Sequence, residues 1–404
     1  MLDLDFKYVF DSSKLQKGDI LLMDTYHEKQ RQLMPNDKYL HVAVYIGNAM
    51  IVEADGLGST INHVYSYAFK KKDDACVIRV KNFNAIHADK IQRCLREDLG
   101  REYSTREALK VKKLKSTNER DTSKQTFCSR NVAKAFERCS FHLVTNPDYC
   151  SPDDLMNSDL VELVDDGICE IEDDVRDIVA LHIQQRESPD LSVMPQTLFE
   201  DVRNFLKSKG LTGPEYNIQN YSDMLLTILK VPEYDSELAE LLKNHSCLTD
   251  PRHRTKEYWP WFDDDEKFFN HYTDTRDALF FIYNQIDHYD DVYLPTQQEN
   301  FVSGVFLSIT HADLETLKIL SEHWRNIYKE SIRIRKRIVD LFYKIISKDT
   351  RGAFLFQQAV GLPKKIVFEY PILDISRFLL IPHEYLNKII DYLRKNPNAL
   401  NPEK

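Results

Sequence analysis

A cysteine at the start of a predicted helix is the first residue whose position suits chemistry. In the stretch QTFCSRNVAKAF, Cys128 precedes an apolar stripe at helical spacing, and Thr126 is the candidate N-cap. Unpaired backbone N–H groups and the positive end of the helix dipole stabilise a thiolate at such a position. They can also bind an oxyanion. Cys128 can therefore act as a nucleophile at neutral pH if a histidine lies near it.

The candidate histidine lies far away in the chain. It opens the stretch HVAVYIGNAMIVEADG, which is typical of two strands joined by a tight turn. If GNA forms a three-residue loop, Ile46 pairs with Met50 and Ala43 lies opposite Glu53. Glu53 then shares the face of His41, diagonally across the hairpin. A two-residue loop would turn Glu53 to the other face, so its assignment requires the longer turn or a bulge.

Length and charge bound the elements that must position these residues. The 404 residues exceed what one hydrophobic core usually organises. Apolar residues make up 42% of the chain and charged residues 29%, which is typical of a folded protein. The net charge of −10 argues against a dedicated nucleic-acid binder. Acidic residues concentrate in 151–179, so we predict two domains, residues 1–175 and 176–404.

We expect no secretory signal at the start of the chain, because MLDLDFKYVF lacks a cationic stretch followed by a long apolar core, and no apolar run has the length of a transmembrane segment. The seven cysteines include no CxxC pair, which disfavours a disulfide framework. The spacing of Cys139, His142 and Cys150 matches no common zinc pattern. We therefore expect a cytoplasmic protein with reduced thiols, with export without a cleaved signal peptide as the open alternative.

Local patterns predict an α+β first part and a helical second part. Strands are predicted at residues 18–24, 41–47, 50–56 and 75–83, and helices at 86–99 and from about Cys128 onward. Beyond residue 180, apolar residues recur three and four apart. This spacing predicts helices within residues 195–210, 221–230, 236–245, 275–286 and 311–347.

Five short stretches, in this order, resemble the YiiX/YebB-like cysteine hydrolases, a circularly permuted branch of the NlpC-type papain-like fold. They are GDILL, HVAVYIG, VEADG, TFCSRNVAKAF and CSPDDLMNSDLVELV, and they span about residues 15–165. In that branch the histidine precedes the cysteine, as it does here. The resemblance implies a permuted papain-like domain, in which helices pack on an antiparallel sheet. It says nothing of the rest of the chain, where the apolar spacing predicts a mainly α-helical domain of unknown role.

Carried over by position, the resemblance makes Cys128 the nucleophile, His41 the general base and acid, and Glu53 the group that orients the imidazole. Asp55 and His63 stay open as alternatives for the third position. A Cys128 thiolate would attack an acyl carbonyl, and water would hydrolyse the resulting thioester. The resemblance implies no metal and no organic cofactor.

We expect a cysteine hydrolase that cleaves an amide bond in a peptide, an isopeptide linkage or a peptidoglycan-like fragment. A lipid acyl hydrolase or acyltransferase with the same three residues is one alternative. A non-catalytic platform whose helical part binds a protein partner is another. The basic stretch 109–124 could draw an acidic group towards the site, but a solvated loop is the simpler interpretation.

Overall fold

The computed structural model describes residues 6–25, 31, 37–47, 49–56, 58–172, 176–185, 196–249, 259–288, 293–352 and 395. Contacts divide the chain into two compact units. The first consists of Met1–Phe199 with Gly210–Met224, and the second of Glu200–Lys209 with Leu225–Lys404. The domain boundary predicted at residue 175 stays a prediction.

The strands lie in the first unit. They are β1 (Tyr8–Phe10), β2 (Ile20–Met23), β3 (His41–Gly47), β4 (Met50–Asp55), β5 (Gly58–His63), β6 (Ala75–Val80), β7 (Val161–Leu163) and β8 (Ile168–Glu170). One sheet has the order β5-β4-β3-β2-β6-β7, and β1 pairs with β8 in a second. All of these pairs are antiparallel. The strand that begins with His41 is therefore an inner strand of the larger sheet.

The helices of the first unit are α1 (Ala85–Glu97), α2 (Thr105–Ala108), α3 (Val111–Leu114), α4 (Cys128–Arg138), α5 (Pro152–Met156) and α6 (Arg176–Gln185). Two helices continue from the first unit into the second, α7 (Gln196–Ser208) and α8 (Tyr221–Lys230). The second unit also contains α9 (Asp235–Asn244), α10 (Ser246–Thr249), α11 (Asp265–His271), α12 (Thr275–His288), α13 (Leu294–Thr310) and α14 (Glu315–Lys348).

The helices predicted between residues 195 and 347 are confirmed, with ends that differ by a few residues. The part of the predicted helical domain that follows Gly352 lies outside the described residues, except for Lys395. Within the described part of the chain, no helix combines the length and the apolar character needed to cross a membrane.

The β3–β4 hairpin sets the face on which Glu53 lies. Ala43 pairs with Glu53, as predicted. The end of the hairpin differs from the prediction, because Met50 pairs with Gly47 and leaves Ile46 as the extra residue of a β-bulge. Gly47 has a φ of 104°, which a residue with a side chain rarely adopts. The bulge absorbs the difference in loop length, so Glu53 keeps the face of His41.

That face of the sheet is packed and apolar. Ala43, Tyr45 and Ile51 belong to a buried cluster that also contains Phe10 and Phe69. The residues of β3 and β4 that face the other side of the sheet are buried as well. Strands buried on both faces are mostly apolar, and this holds for β3 and β4. A histidine and a glutamate inside such strands must find polar partners within the protein.

Asp153 stabilises the backbone that leads into β3. Its Oδ2 accepts a hydrogen bond from the N–H of Lys38 at 2.6 Å, and its Oδ1 accepts one from the N–H of Tyr39 at 3.0 Å. Asp153 lies in α5, whose own start is closed by a capping box. A carboxylate 112 positions further along the chain therefore anchors the residues just before His41.

Replacing Asp153 by alanine should lower the free energy of unfolding by about 1–3 kcal/mol, because two backbone donors lose their acceptor. Denaturant unfolding of the variant measures this loss. The exposed Asp159 in the same segment provides the control, and its replacement by alanine should change the free energy by about 0.5 kcal/mol or less. Equal effects of the two substitutions would contradict the anchoring role.

Candidate active site

His41 and Glu53 form a buried pair on adjacent strands. The Nε2 atom of His41 is hydrogen-bonded to Oε2 of Glu53. Glu53 has no exposed surface, so water does not solvate its charge. An ionised carboxylate can only accept, so Nε2 carries the hydrogen of this bond. The other ring nitrogen, Nδ1, is left for a second partner.

Cys128 is the first residue of α4, as predicted. The predicted N-cap is wrong, because Phe127 occupies that position and its side chain makes no capping hydrogen bond. Thr126 lies one residue too early, in a β-bridge with Tyr103. Because no side chain caps α4, the N–H groups of its first turn face the position at the helix start where an anion would bind.

The structure brings Cys128 and His41 into contact. Burial alone would lower the pKa of His41, but hydrogen bonds to Cys128 and Glu53, together with their negative charges, raise it to about 10. A protonated imidazole at neutral pH stabilises a thiolate beside it. Cys128 and His41 are each 6% exposed, so both residues lie just beneath the protein surface rather than being fully sealed from solvent.

Glu53 is the candidate for the third position that is hydrogen-bonded to His41. His63 instead stacks on His182, with ring centroids 3.7 Å apart. Asp55 lies near the phenol of Tyr103, whose pKa is raised by burial and by the charges of Cys128 and Asp55. The geometry therefore favours Glu53 for the orienting role, which stays a proposal.

Two further residues contact the carboxylate, and the sequence patterns did not indicate them. Asn62 donates from Nδ2 to Oε1 of Glu53 at 2.6 Å, and the hydroxyl of Tyr67 donates to Oε2. The ring of Tyr67 also stacks on that of His41, with centroids 5.7 Å apart. Asn62 lies two residues from Thr60, the partner of Glu53, so strand alternation could have identified it had β5 been predicted.

Arg130 stabilises the start of the cysteine helix. It is 1% exposed and donates from Nε to the carbonyl of Asp148 and from Nη1 to Asp121, both at 2.8 Å. Its guanidinium also packs over the rings of Phe127 and Tyr149. These contacts join the segments before and after α4, and they restrict where Cys128 can lie.

The basic stretch 109–124 is largely engaged in ion pairs. Lys115 contacts Asp154 at 2.8 Å, and Arg120 contacts Asp148 at 3.1 Å. Lys110 pairs with a glutamate one turn away, at 2.8 Å. These ion pairs neutralise positive charge that would otherwise attract an acidic ligand. They favour the interpretation of the stretch as a solvated loop.

An open depression of about 1000 Å³ lies on the first unit. Cys128 and His41 are not among its lining residues, which come from segments 115–120, 142–150 and 154–160 and from Glu137. The candidate site therefore does not coincide with this depression. Among the described residues, no group of three or more His, Cys, Asp or Glu side chains could hold a metal ion.

The fold and the site define a class of protein. Three features together are typical of a permuted papain-like thiol hydrolase. They are an antiparallel sheet, a cysteine at the start of a packed helix, and a histidine earlier in the chain at the start of a strand. Residues 14–160 match the model of a family described as permuted papain-like amidase enzyme, YaeF/YiiX, C92 family. This part of the chain is similar to that family, and the predicted α+β fold with a helical C-terminal part is confirmed. No curated protein and no solved structure matched the chain.

Replacing Glu53 by glutamine should lower the pKa of His41, because the neutral amide removes a charge that stabilises the imidazolium. The comparison is best made in a Cys128→Ala background, where the thiol no longer titrates together with the imidazole. We expect a fall of about 1 unit or more. NMR titration of the His41 ring nitrogens measures it. A Glu162→Gln control, at an exposed position of β7, should leave the titration unchanged, and an equal shift in both variants would contradict the pairing.

Proposed function

We propose that the chain is a cysteine hydrolase that cleaves an amide bond, with Cys128 as nucleophile, His41 as general base and acid, and Glu53 as the residue that orients His41. The observation that carries the proposal is the continuous contact from the thiol through the imidazole to a fully buried carboxylate. The match of residues 14–160 to the model of an amidase family supports the same class of reaction.

The reaction follows from these roles. The thiolate of Cys128 adds to the substrate carbonyl, and the N–H groups at the start of α4 stabilise the oxyanion. The C–N bond then breaks, and His41 gives its proton to the departing amine. Water, which passes a proton to His41, attacks the thioester, and the acid product leaves with the thiolate and the imidazolium restored. Glu53 stabilises the imidazolium through both steps.

The substrate class within this proposal is a peptide, an isopeptide linkage or a peptidoglycan-like fragment. All seven cysteines are free thiols, which suits the reducing cytoplasm as the place of action. We propose a protein partner as the role of the helical part. Neither the compartment nor the partner is needed for the proposed chemistry.

Replacing Cys128 by alanine should reduce hydrolysis of a responsive peptide amide by about 10³-fold or more, because the covalent route is lost. Cys169→Ser is the matched control, since Cys169 is a half-buried free thiol on β8 of the same unit. Its activity should equal that of the unchanged protein. Mass spectrometry of protein quenched during turnover should find an acyl group on Cys128.

The substrate panel should contain peptide amides and lipid esters. Release from lipid esters alone would refute the amide assignment while keeping the same nucleophile. Alkylation by iodoacetamide tests for a catalytically silent platform. Cys128 should react faster than the other thiols at pH 6, and a rate equal to that of Cys169 would contradict the enzyme assignment.

A further inference from the structure

The carboxylate of Glu53 is surrounded by hydrogen-bond donors of three different kinds. Oε2 accepts from His41 and from the hydroxyl of Tyr67, while Oε1 accepts from Nδ2 of Asn62 at 2.6 Å. These donors come from three elements: β3, the segment just after the short helical turn at 64–66, and β5. Bonds to both oxygens define the position and the plane of the carboxylate, which one bond alone would not.

Both extra donors are neutral, and this matters for the charge of the site. A buried carboxylate without compensation would take up a proton or draw the proton of His41. Donors that carry no charge stabilise the ionised carboxylate without competing with the imidazolium for its negative charge. Glu53 can therefore remain an anion beside a protonated His41.

Tyr67 restrains the imidazole a second time, through its ring. The two ring planes lie 28° apart, with centroids 5.7 Å apart. The hydroxyl of Tyr67 and Nε2 of His41 share the same oxygen of Glu53, so the three groups form one buried cluster. Rotation of the imidazole would break the stacking and the hydrogen bond together.

We propose that Tyr67 and Asn62 are positioning residues of the candidate active site, which hold Glu53 so that Nδ1 of His41 faces the sulfur of Cys128. The inference rests on the proposed function. Both act through the carboxylate, and Tyr67 also restrains the imidazole through its ring. A purely structural role would instead limit their effect to the stability of the fold.

The variant Tyr67→Phe removes the hydroxyl and leaves the ring against His41. The variant Asn62→Ala removes the other donor from the edge strand β5. Tyr65→Phe is the control, because Tyr65 lies two residues from Tyr67 and its hydroxyl contacts Ser12 instead. Iodoacetamide labelling of Cys128 from pH 4 to 9 provides a readout that requires no substrate. Hydrolysis of a responsive substrate adds kcat and KM.

We expect Tyr67→Phe and Asn62→Ala each to lower kcat and the labelling rate at pH 6 by about tenfold with little change in KM, because each loses a hydrogen bond to a charged group. The acid limb of the labelling profile should move to higher pH, since a carboxylate with fewer donors takes up a proton more readily. In a Glu53→Gln background, Tyr67→Phe should have little further effect, as expected for a residue that acts through the carboxylate.

Unchanged kcat and an unchanged labelling profile in both variants, with Cys128 still reactive in the unaltered protein, would overturn this inference alone. A Tyr67→Phe effect of full size in the Glu53→Gln background would also overturn it. Ordinary reactivity of Cys128 in the unaltered protein would refute the proposed function, and this inference with it. If Tyr67→Phe does not fold, Asn62→Ala carries the same comparison.

Discussion

The ionised carboxylate of Glu53, without exposed surface, is the constraint on which the site depends. An isolated charge of this kind is unfavourable by several kcal/mol. It is tolerated because His41, Tyr67 and Asn62 all donate to it. Each contact requires a particular backbone arrangement. The bulge in the β3–β4 hairpin puts Glu53 on the face of His41, and the β4–β5 register brings Asn62 near. A shift of one residue in the β3–β4 pairing would turn Glu53 away from His41, and one in the β4–β5 pairing would turn Asn62 away from Glu53.

The second half of the site depends on packing far from the hairpin. Arg130 joins α4 to the segments on either side of it, and Asp153 anchors the backbone that precedes His41. Asp121 and Asp148, the two aspartates that accept hydrogen bonds from Arg130, lie outside α4. The start of this helix is therefore positioned by tertiary contacts rather than by a local cap. The stretch CSPDDLMNSDLVELV, which contributed only to the family resemblance, thus has a structural role. Its carboxylate links the end of the domain to the strand that carries the histidine.

The elements that could be predicted from sequence are those with a strong local signal. β3 is a largely apolar run between turn formers and begins and ends as predicted, and the Ala43–Glu53 pairing followed from the longer turn or bulge that the hairpin prediction required. The helix that begins at Cys128 followed from apolar spacing. In contrast, β5 has the small, polar sequence GSTINH and forms because β4 offers it a partner, so both the strand and Asn62 were missed. The wrong cap at Thr126 has the same origin, since that residue is held in a bridge with Tyr103 from another segment.

The electrostatics of the site also connect its chemistry to stability. The pKa of His41 rises from 6.5 to about 10 on folding, despite burial, because Cys128 and Glu53 favour its charged form. A raised pKa means that the folded state binds this proton more tightly than the unfolded chain does. The resulting stabilisation is fully present below pH 6.5 and is lost as the pH rises through about 10. Near neutral pH the fold therefore favours the protonation state that the proposed reaction uses. The cost of the site lies in burying Glu53, and its three donors offset that cost.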